Sequence, residues 1–326
     1  MYRQPNSQRP NVSAKTKAFL DALAKQNAKP LYELSYPEAR QVLLSAQTQI
    51  KMPKNLDCDI KDMTFPVGPL DATDVRLYRP KDNKDTLPVL VYYHGGGWVM
   101  GNKITHERLM RTLCVQAGIA ILFVDYTPSP ESGYPDTLEQ GYAALEYLAH
   151  NASEYKVDAS RIAVGGDSVG GNMAGVMCLW AKKRQGVNIV RQFLLYPVAD
   201  GSMSSPSYHD FAEGPWLTQK AMAYFWQAYA PKEAARYEAF ASLVNAESEA
   251  LVGLPAAFVL TIENDVLRDE GEAYANKLMQ AGCEVVAVRY KGTIHDFMML
   301  DGLMHTAPAK AAVRQLVCEL KYTFGL

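Results

Sequence analysis

The chain has 326 residues, of which 48% are apolar and 21% are charged, and this is the usage of a globular protein with a substantial core. Its 33 basic and 35 acidic side chains nearly cancel, so no strong field is present to attract nucleic acid or an anionic membrane surface. This balance favours a small, nearly neutral ligand. The length favours one large domain that carries a smaller additional piece.

The cysteines and the first ten residues bear on the compartment. Five cysteines lie far apart without a C-x-x-C pair, which argues against a zinc site or a disulfide framework, although a single bridge stays open: Cys58, Cys114, Cys178, Cys283 and Cys318. Residues 1–10 are polar and contain no apolar stretch of the secretory type. No segment approaches the length of a membrane span. We therefore predict a cytoplasmic protein without integral membrane association.

Two regions lack strand patterns and are predicted to form a cap. Residues 1–55 show helical spacing of apolar side chains, and residues 201–250 are rich in serine, proline and aromatics before a helical stretch at 220–230. Both regions are expected to lie outside the sheet and to pack on each other. The catalytic body is then predicted to comprise residues 56–200 and 251–326.

The body reads as a mostly parallel sheet of about eight strands flanked by helices, which is an α/β fold. Runs at 59–67 and 74–79, separated by a Gly-Pro turn, predict an antiparallel edge. Beyond residue 85, short β-branched and aromatic runs alternate with helical stretches, as in parallel strands joined by crossover helices. The parallel strands are predicted at 88–93, 119–125, 162–166, 192–197, 256–263 and 284–290.

A candidate nucleophile lies where a strand ends and a helix begins. Residues 166–170 read Gly-Asp-Ser-Val-Gly and match G-x-S-x-G, a motif that also arises by chance in about one chain in ten of this size. The strand-to-helix context raises its weight, because a tight reversal there needs flanking glycines. We expect Ser168 to project its hydroxyl above the sheet at the positive end of the following helix.

Candidate donors for an oxyanion follow another strand. His94 precedes Gly95, Gly96, Gly97 and Trp98, so the glycines begin at the carboxyl end of a strand, where open sheets place their sites. Acyl transfer needs N–H groups directed at the carbonyl oxygen, since that oxygen becomes anionic. We predict donors among Gly95, Gly96 and Gly97, joined by Val169. A simple turn is the alternative, while the spacing of a phosphate loop is lacking.

Together these motifs resemble the hormone-sensitive-lipase-like branch of the α/β-hydrolase esterases. Residues 125–126 with 130–131 (Asp-Tyr and Pro-Glu) and residues 265–270 (Asp-Val-Leu-Arg-Asp-Glu) extend the likeness over about 60–325. Two positions depart from the family pattern: Val169 stands where Ala is usual, and Asp296 stands where Gly commonly follows the family's catalytic histidine, here His295. The change at Val169 narrows the space beside the oxyanion hole, and the change at Asp296 puts a carboxylate next to that histidine.

A serine nucleophile needs a base that is held in one tautomer by a third group. Of the six histidines, His295 alone follows the last predicted strand in a short loop, and the resemblance assigns the base to the same position. For the acid, Asp265 lies nearest the strand end, whereas Asp269 and Glu270 suit the start of the next helix. The resemblance also selects Asp265. Asp167 and Glu131 are expected to brace loops.

These residues predict a serine carboxylesterase, and the resemblance implies short- to medium-chain acyl esters as substrates and a homodimer through the last strand and helix. The substrate pocket is expected to include Trp98, Tyr208, Phe211 and Trp216. The predicted cap also contains the aromatic residues Phe225 and Trp226. No motif for a metal, a nucleotide or a flavin occurs, so no cofactor is expected. An amidase or peptidase with the same triad and a ligand-binding protein without catalysis are the alternatives.

Overall fold

A computed structural model of the protein describes residues 10–47 and 52–326. Part of the predicted cap segment 1–55, and nearly all of the polar first ten residues, lie outside the described residues. Within the two described ranges, no helix combines the length and the apolar character that crossing a bilayer would require.

The centre of the molecule is one sheet of eight strands. In chain order these are β1 (Cys58–Phe65), β2 (Thr73–Pro80), β3 (Leu87–Tyr93), β4 (Ala120–Asp125), β5 (Val157–Asp167), β6 (Ile189–Leu195), β7 (Ala256–Asn264) and β8 (Val285–Ile294). Every predicted strand is present, and the boundaries differ by a few residues. The largest difference is at β5, which begins five residues before its predicted start, because residues 157–161 are mostly polar and show no strand pattern.

The strand order is β1-β2-β4-β3-β5-β6-β7-β8. β1 and β2 pair antiparallel, β2 also pairs antiparallel with β4, and the remaining neighbours are parallel. The predicted antiparallel edge and parallel centre are therefore confirmed. All seven residues of β3 are buried, which explains why its sequence is almost continuously apolar.

Eleven α-helices occur among the described residues. They are α1 (Ala14–Ala24), α2 (Tyr36–Gln47), α3 (Glu107–Ala117), α4 (Asp136–His150), α5 (Val169–Arg184), α6 (Pro206–Asp210), α7 (Gln219–Tyr229), α8 (Glu233–Arg236), α9 (Ser248–Leu251), α10 (Arg268–Gln280) and α11 (Ala307–Phe324). α5 packs against β5 and β6, and α10 packs against β7. At the start of α7, the Thr218 hydroxyl accepts the N–H of Ala221 at 3.0 Å, a capping bond that fixes where this helix begins.

The two segments outside the sheet contact each other and the body. The Tyr224 hydroxyl on α7 donates to the carbonyl of Leu34 at 3.2 Å, and the Tyr224 ring lies 5.0 Å from that of Tyr36. Arg40 on α2 binds the body, since its guanidinium contacts both carboxylate oxygens of Glu131 at 2.6 and 2.9 Å. These bonds join the two segments to each other and to the loop between β4 and α4.

Candidate active site

Ser168 sits in the sharp turn between β5 and α5. Its backbone has φ 56° and ψ −120°, a conformation that costs a non-glycine residue about 1–3 kcal/mol. Two backbone hydrogen bonds hold it there: the Ser168 N–H donates to Leu195 at 2.8 Å, and the Ser168 carbonyl accepts from Val198 at 3.1 Å. These bonds to residues at and after the end of β6 therefore fix the serine at the carboxyl end of β5.

The glycines of the motif are required by close backbone contacts. A Cβ on Gly170 would overlap the carbonyl oxygen of Tyr93, and one on Gly166 would overlap the backbone of Gly170. Both clashes involve backbone atoms, which cannot move aside without disrupting β3 or the start of α5. The turn thus needs glycine on both sides of Ser168 for steric reasons.

The structure brings the predicted hydroxyl, imidazole and carboxylate together. Nε2 of His295 lies 3.0 Å from Oγ of Ser168, and Nδ1 lies 2.7 Å from Oδ2 of Asp265. The other carboxylate oxygen of Asp265 accepts the N–H of Leu267 at 3.0 Å, so the carboxylate is held at both oxygens. In the neutral imidazole, Nδ1 donates to this carboxylate, and Nε2 is left as the acceptor for the serine proton.

Burial and charge act in opposite directions on His295. Burial alone would lower the pKa of its imidazole, but the carboxylates of Asp265 and Asp296 outweigh this effect and raise the pKa to about 9. The protonated form is therefore favoured at neutral pH. An imidazole with this pKa is mostly neutral only in alkaline solution.

The glycine loop after β3 adopts a backbone that only glycine accommodates readily. Gly96 has φ 108° and Gly97 has φ 66°. The N–H of Gly95 donates to Oδ1 of Asp167 at 3.0 Å, so it supports the loop and is not available as an oxyanion donor. In the described part of the chain, the N–H groups of Gly96, Gly97 and Val169 have no intramolecular acceptor.

Asp167 is the brace of this loop. Its buried carboxylate accepts from the Tyr92 hydroxyl at 2.8 Å and from Gly95 at 3.0 Å, and it lies 3.3 Å from Nε2 of His106. Burial favours its neutral form, but His106 and the Tyr92 hydroxyl hold the pKa of this carboxyl below its usual range. One charge thus ties the end of β5 to the loop after β3.

A cavity of about 170 Å³ opens onto Ser168. The body contributes two glycines and the side chains of Ser168 and His295, and the segments outside the sheet contribute apolar side chains. The lining consists of Leu31, Val42, Leu43, Gly96, Gly97, Met100, Ser168, Trp216, Leu217, Ala221, Met222, Phe225, His295 and Asp296. It is a small apolar space with one carboxylate in its wall.

Three of the four predicted pocket residues lie elsewhere, and only Trp216 lines the cavity. Trp98 is fully buried and stacks on Tyr229 at 3.9 Å, while Tyr208 and Phe211 are buried away from the cavity. The prediction for these three was wrong because an aromatic side chain serves core packing and pocket walls equally well.

The apolar wall residues Leu31, Leu43, Ala221 and Met222 were missed. They show only the apolar spacing that any buried helix face shows. Among the described residues, no group of three or more His, Cys, Asp or Glu could hold a metal ion.

Known proteins resemble this chain over most of its length. A family described as alpha/beta hydrolase fold matches residues 90–299. The carboxylesterase NlhH of Mycobacterium tuberculosis is 33% identical over 96% of this chain and 97% of its own length. An ethyl acetate hydrolase of Pseudomonas putida is 32% identical over 85% of this chain and 88% of its own. The crystal structure of a thermostable esterase from Pseudomonas putida ECU1011 superimposes with a TM-score of 0.94 at 45% identity, covering 98% of this chain and 99% of that one.

Proposed function

We propose that this chain, which belongs to the alpha/beta hydrolase fold family, hydrolyses short acyl esters through an acyl-enzyme intermediate on Ser168. Its carboxylic ester hydrolase class follows from the esterases that it resembles over nearly its whole length. The observation that supports the mechanism is the continuous relay Asp265–His295–Ser168, with bonds of 2.7 and 3.0 Å.

The first half-reaction acylates the serine. The Ser168 hydroxyl passes its proton to Nε2 of His295 as Oγ attacks the ester carbonyl. Asp265 stabilises the imidazolium, and the N–H groups of Gly96, Gly97 and Val169 stabilise the oxyanion of the tetrahedral intermediate. His295 then donates the proton to the departing alcohol. The product is an acyl ester of Ser168.

The second half-reaction repeats these steps with water. His295 removes a proton from water, the resulting hydroxide attacks the acyl carbonyl, and the same amides stabilise the oxyanion. Collapse of the intermediate returns the proton to Ser168 and releases the carboxylic acid. Apart from water, no component outside the chain is required.

The cavity supports a preference for short acyl groups. Its volume of about 170 Å³ compares with the roughly 150 Å³ apolar cavities that hold one benzene molecule. The walls of Leu43, Leu217 and Met222 offer apolar contact without polar partners. Within the predicted short- to medium-chain range, we therefore place the optimum at the short end.

A chain-length series of p-nitrophenyl esters tests mechanism and pocket together. Ser168→Ala should lose turnover by at least about 10⁴-fold while its circular dichroism and melting temperature stay near wild type. Ser204→Ala, which removes an exposed hydroxyl outside the cavity, is the matched control and should keep full activity. Turnover by Ser168→Ala close to that of the wild type would reject the mechanism.

Matched anilides measured beside the esters address the amidase alternative, which requires turnover of the C–N bond.

The homodimer through β8 and α11 and the cytoplasmic location stay predictions. Size-exclusion chromatography with light scattering would test the homodimer.

A further inference from the structure

Asp296 contacts both the catalytic base and the segment 201–250. Its Oδ1 lies 3.4 Å from Nε2 of His295, and its Oδ2 accepts the indole N–H of Trp216 at 2.9 Å. Nε2 is the same nitrogen that lies 3.0 Å from the Ser168 hydroxyl. One carboxylate thus joins the proton-accepting atom of the site to a side chain of the apolar wall.

The backbone on both sides of this contact is fixed. Asp296 has φ 64°, a left-handed conformation that Asp and Asn tolerate, and its carbonyl accepts the N–H groups of Met299 and Leu300 at 2.9 Å each. Trp216 has φ 71°, which is rare for a large side chain, and its ring lies 6.0 Å from that of Phe19 on α1. Both segments outside the sheet therefore hold the indole against Asp296.

We propose that Asp296 is a positioning residue through which Trp216 and the cap set the protonation state of the His295 imidazole. The inference rests on the proposed function, because it concerns the base of that same reaction. The indole N–H favours the ionised form of the carboxylate and directs it at Nε2. An ionised carboxylate there favours the imidazolium, so the serine is activated only in more alkaline solution.

The directions of the pKa shifts agree with this geometry. Burial favours the neutral carboxyl of Asp296, while His295 and the hydrogen bond from Trp216 favour the ionised form, and the net effect is a raised pKa. For the imidazole of His295, burial lowers the pKa, and Asp265 followed by Asp296 raises it. Loss of either the Asp296 charge or the indole bond should therefore lower the pKa of His295.

Other titratable groups face this pair from the neighbouring elements. Asp265 follows β7, Asp167 ends β5, and His106 lies beside Asp167. The hydroxyls of Tyr92 and Tyr196 have pKa values raised well above their usual range by burial, so they stay neutral throughout. Asp265 and Asp167 have other partners in the site. Asp296 is thus the acid near the imidazole that can be neutralised without disrupting the relay.

The test is the position of the acid limb in the pH profile of kcat/KM for p-nitrophenyl butyrate, with product measured by chromatography. Asp296→Asn keeps the shape, the tolerated φ and an oxygen for the indole, and should move the limb at least about one unit toward acid. Trp216→Phe removes the N–H donor together with part of the ring, and should move the limb in the same direction by less. The double variant should match Asp296→Asn alone, because Trp216 acts through the carboxylate.

Glu213→Gln is the matched control, since it removes an exposed carboxylate near Trp216 in the chain but outside the cavity, and its limb should coincide with that of the wild type. An Asp296→Asn limb that coincides with the wild type overturns the proposal. A shift from Trp216→Phe that persists undiminished in the Asp296→Asn background overturns the coupling. If Asp296→Asn folds poorly, Asp296→Gly provides a second variant that accommodates the positive φ.

A readout without turnover separates this inference from the proposed function. The Nδ1–H of His295, which is shared with a carboxylate, should give a far-downfield proton resonance whose titration reports the imidazole directly. The titration midpoint should be lower in Asp296→Asn than in the wild type. Ester turnover that is unaffected by Ser168→Ala would reject the proposed mechanism, whereas an unmoved midpoint would reject only the role of Asp296.

Discussion

The two walls of the cavity are built in different ways. The body wall contains Gly96, Gly97, Ser168 and His295, all of which lie on loops at the carboxyl ends of strands. Hydrogen bonds to backbone groups or to buried carboxylates hold these loops and side chains in place. The opposite wall consists mainly of apolar side chains from the segments outside the sheet. Trp216 in this wall also donates its indole N–H to Asp296.

The difference shows what each wall has to do. A reacting group works only within a fraction of an ångström of its productive position, so its support is rigid. An apolar wall needs volume and exclusion of water, and many side chains provide these. Substitutions in the body wall should therefore affect the rate, and substitutions in the opposite wall should affect substrate choice.

After Ser168, the largest effect is expected at Asp265. Asp265→Asn should keep the fold but lower kcat by about 10⁴-fold, because an amide in that place favours the wrong tautomer of His295. Steady-state kinetics on p-nitrophenyl acetate measure this loss. Asp269→Asn, in the neighbouring acid, is the control and should keep most of the turnover. Comparable losses in the two variants would contradict the assignment of Asp265.

The next effect concerns Gly97, where the two walls meet. A Cβ on Gly97 would overlap the ring of Phe225, and φ at this position is 66°. Gly97→Ala should therefore displace an oxyanion donor and lower kcat by about 10²–10³-fold. Gly97→Ala/Phe225→Ala should recover part of that loss because the ring is gone. If the double variant is as slow as Gly97→Ala, the loss of rate comes from the strained backbone at position 97 and not from the overlap with Phe225.

A smaller effect is expected from pH. With the pKa of His295 at about 9, the neutral imidazole is the minor form at neutral pH. The kcat/KM of the wild type should rise about tenfold per pH unit below that value and level off above it. A plateau that already begins near pH 7 would show that the carboxylates do not act on the imidazole as described.

The smallest effect on rate is expected in the apolar wall. Leu43→Ala enlarges the cavity and should raise kcat/KM for hexanoate relative to acetate esters by a few-fold, at a cost of about 2 kcal/mol in the free energy of unfolding. Leu20→Ala on α1 also shortens a leucine outside the sheet, away from the cavity. It should leave the ratio unchanged. Equal chain-length profiles in all three proteins would contradict the role of this wall.

The parts of the molecule that were predictable share a physical cause. Strands buried on both faces must be apolar along their whole length, so β3, β4 and β7 are visible as runs in the sequence. A reversal with no room for a Cβ must contain glycine, which marks the turn at Ser168. Asp265 and His295 follow strand ends directly, and their approach to Ser168 agrees with the predicted triad, whose catalytic roles stay predictions.

The sequence by itself thus determined the sheet, its antiparallel edge and the strand ends at which Ser168, Asp265 and His295 lie, because each of these depends on local periodicity or on steric need. Tertiary structure alone decided that Gly95 braces the loop while the N–H groups of Gly96 and Gly97 have no acceptor within residues 10–47 and 52–326. It also placed Trp216, but not Trp98, in the cavity. These outcomes depend on which chain-distant groups meet, and local pattern carries no information about that meeting.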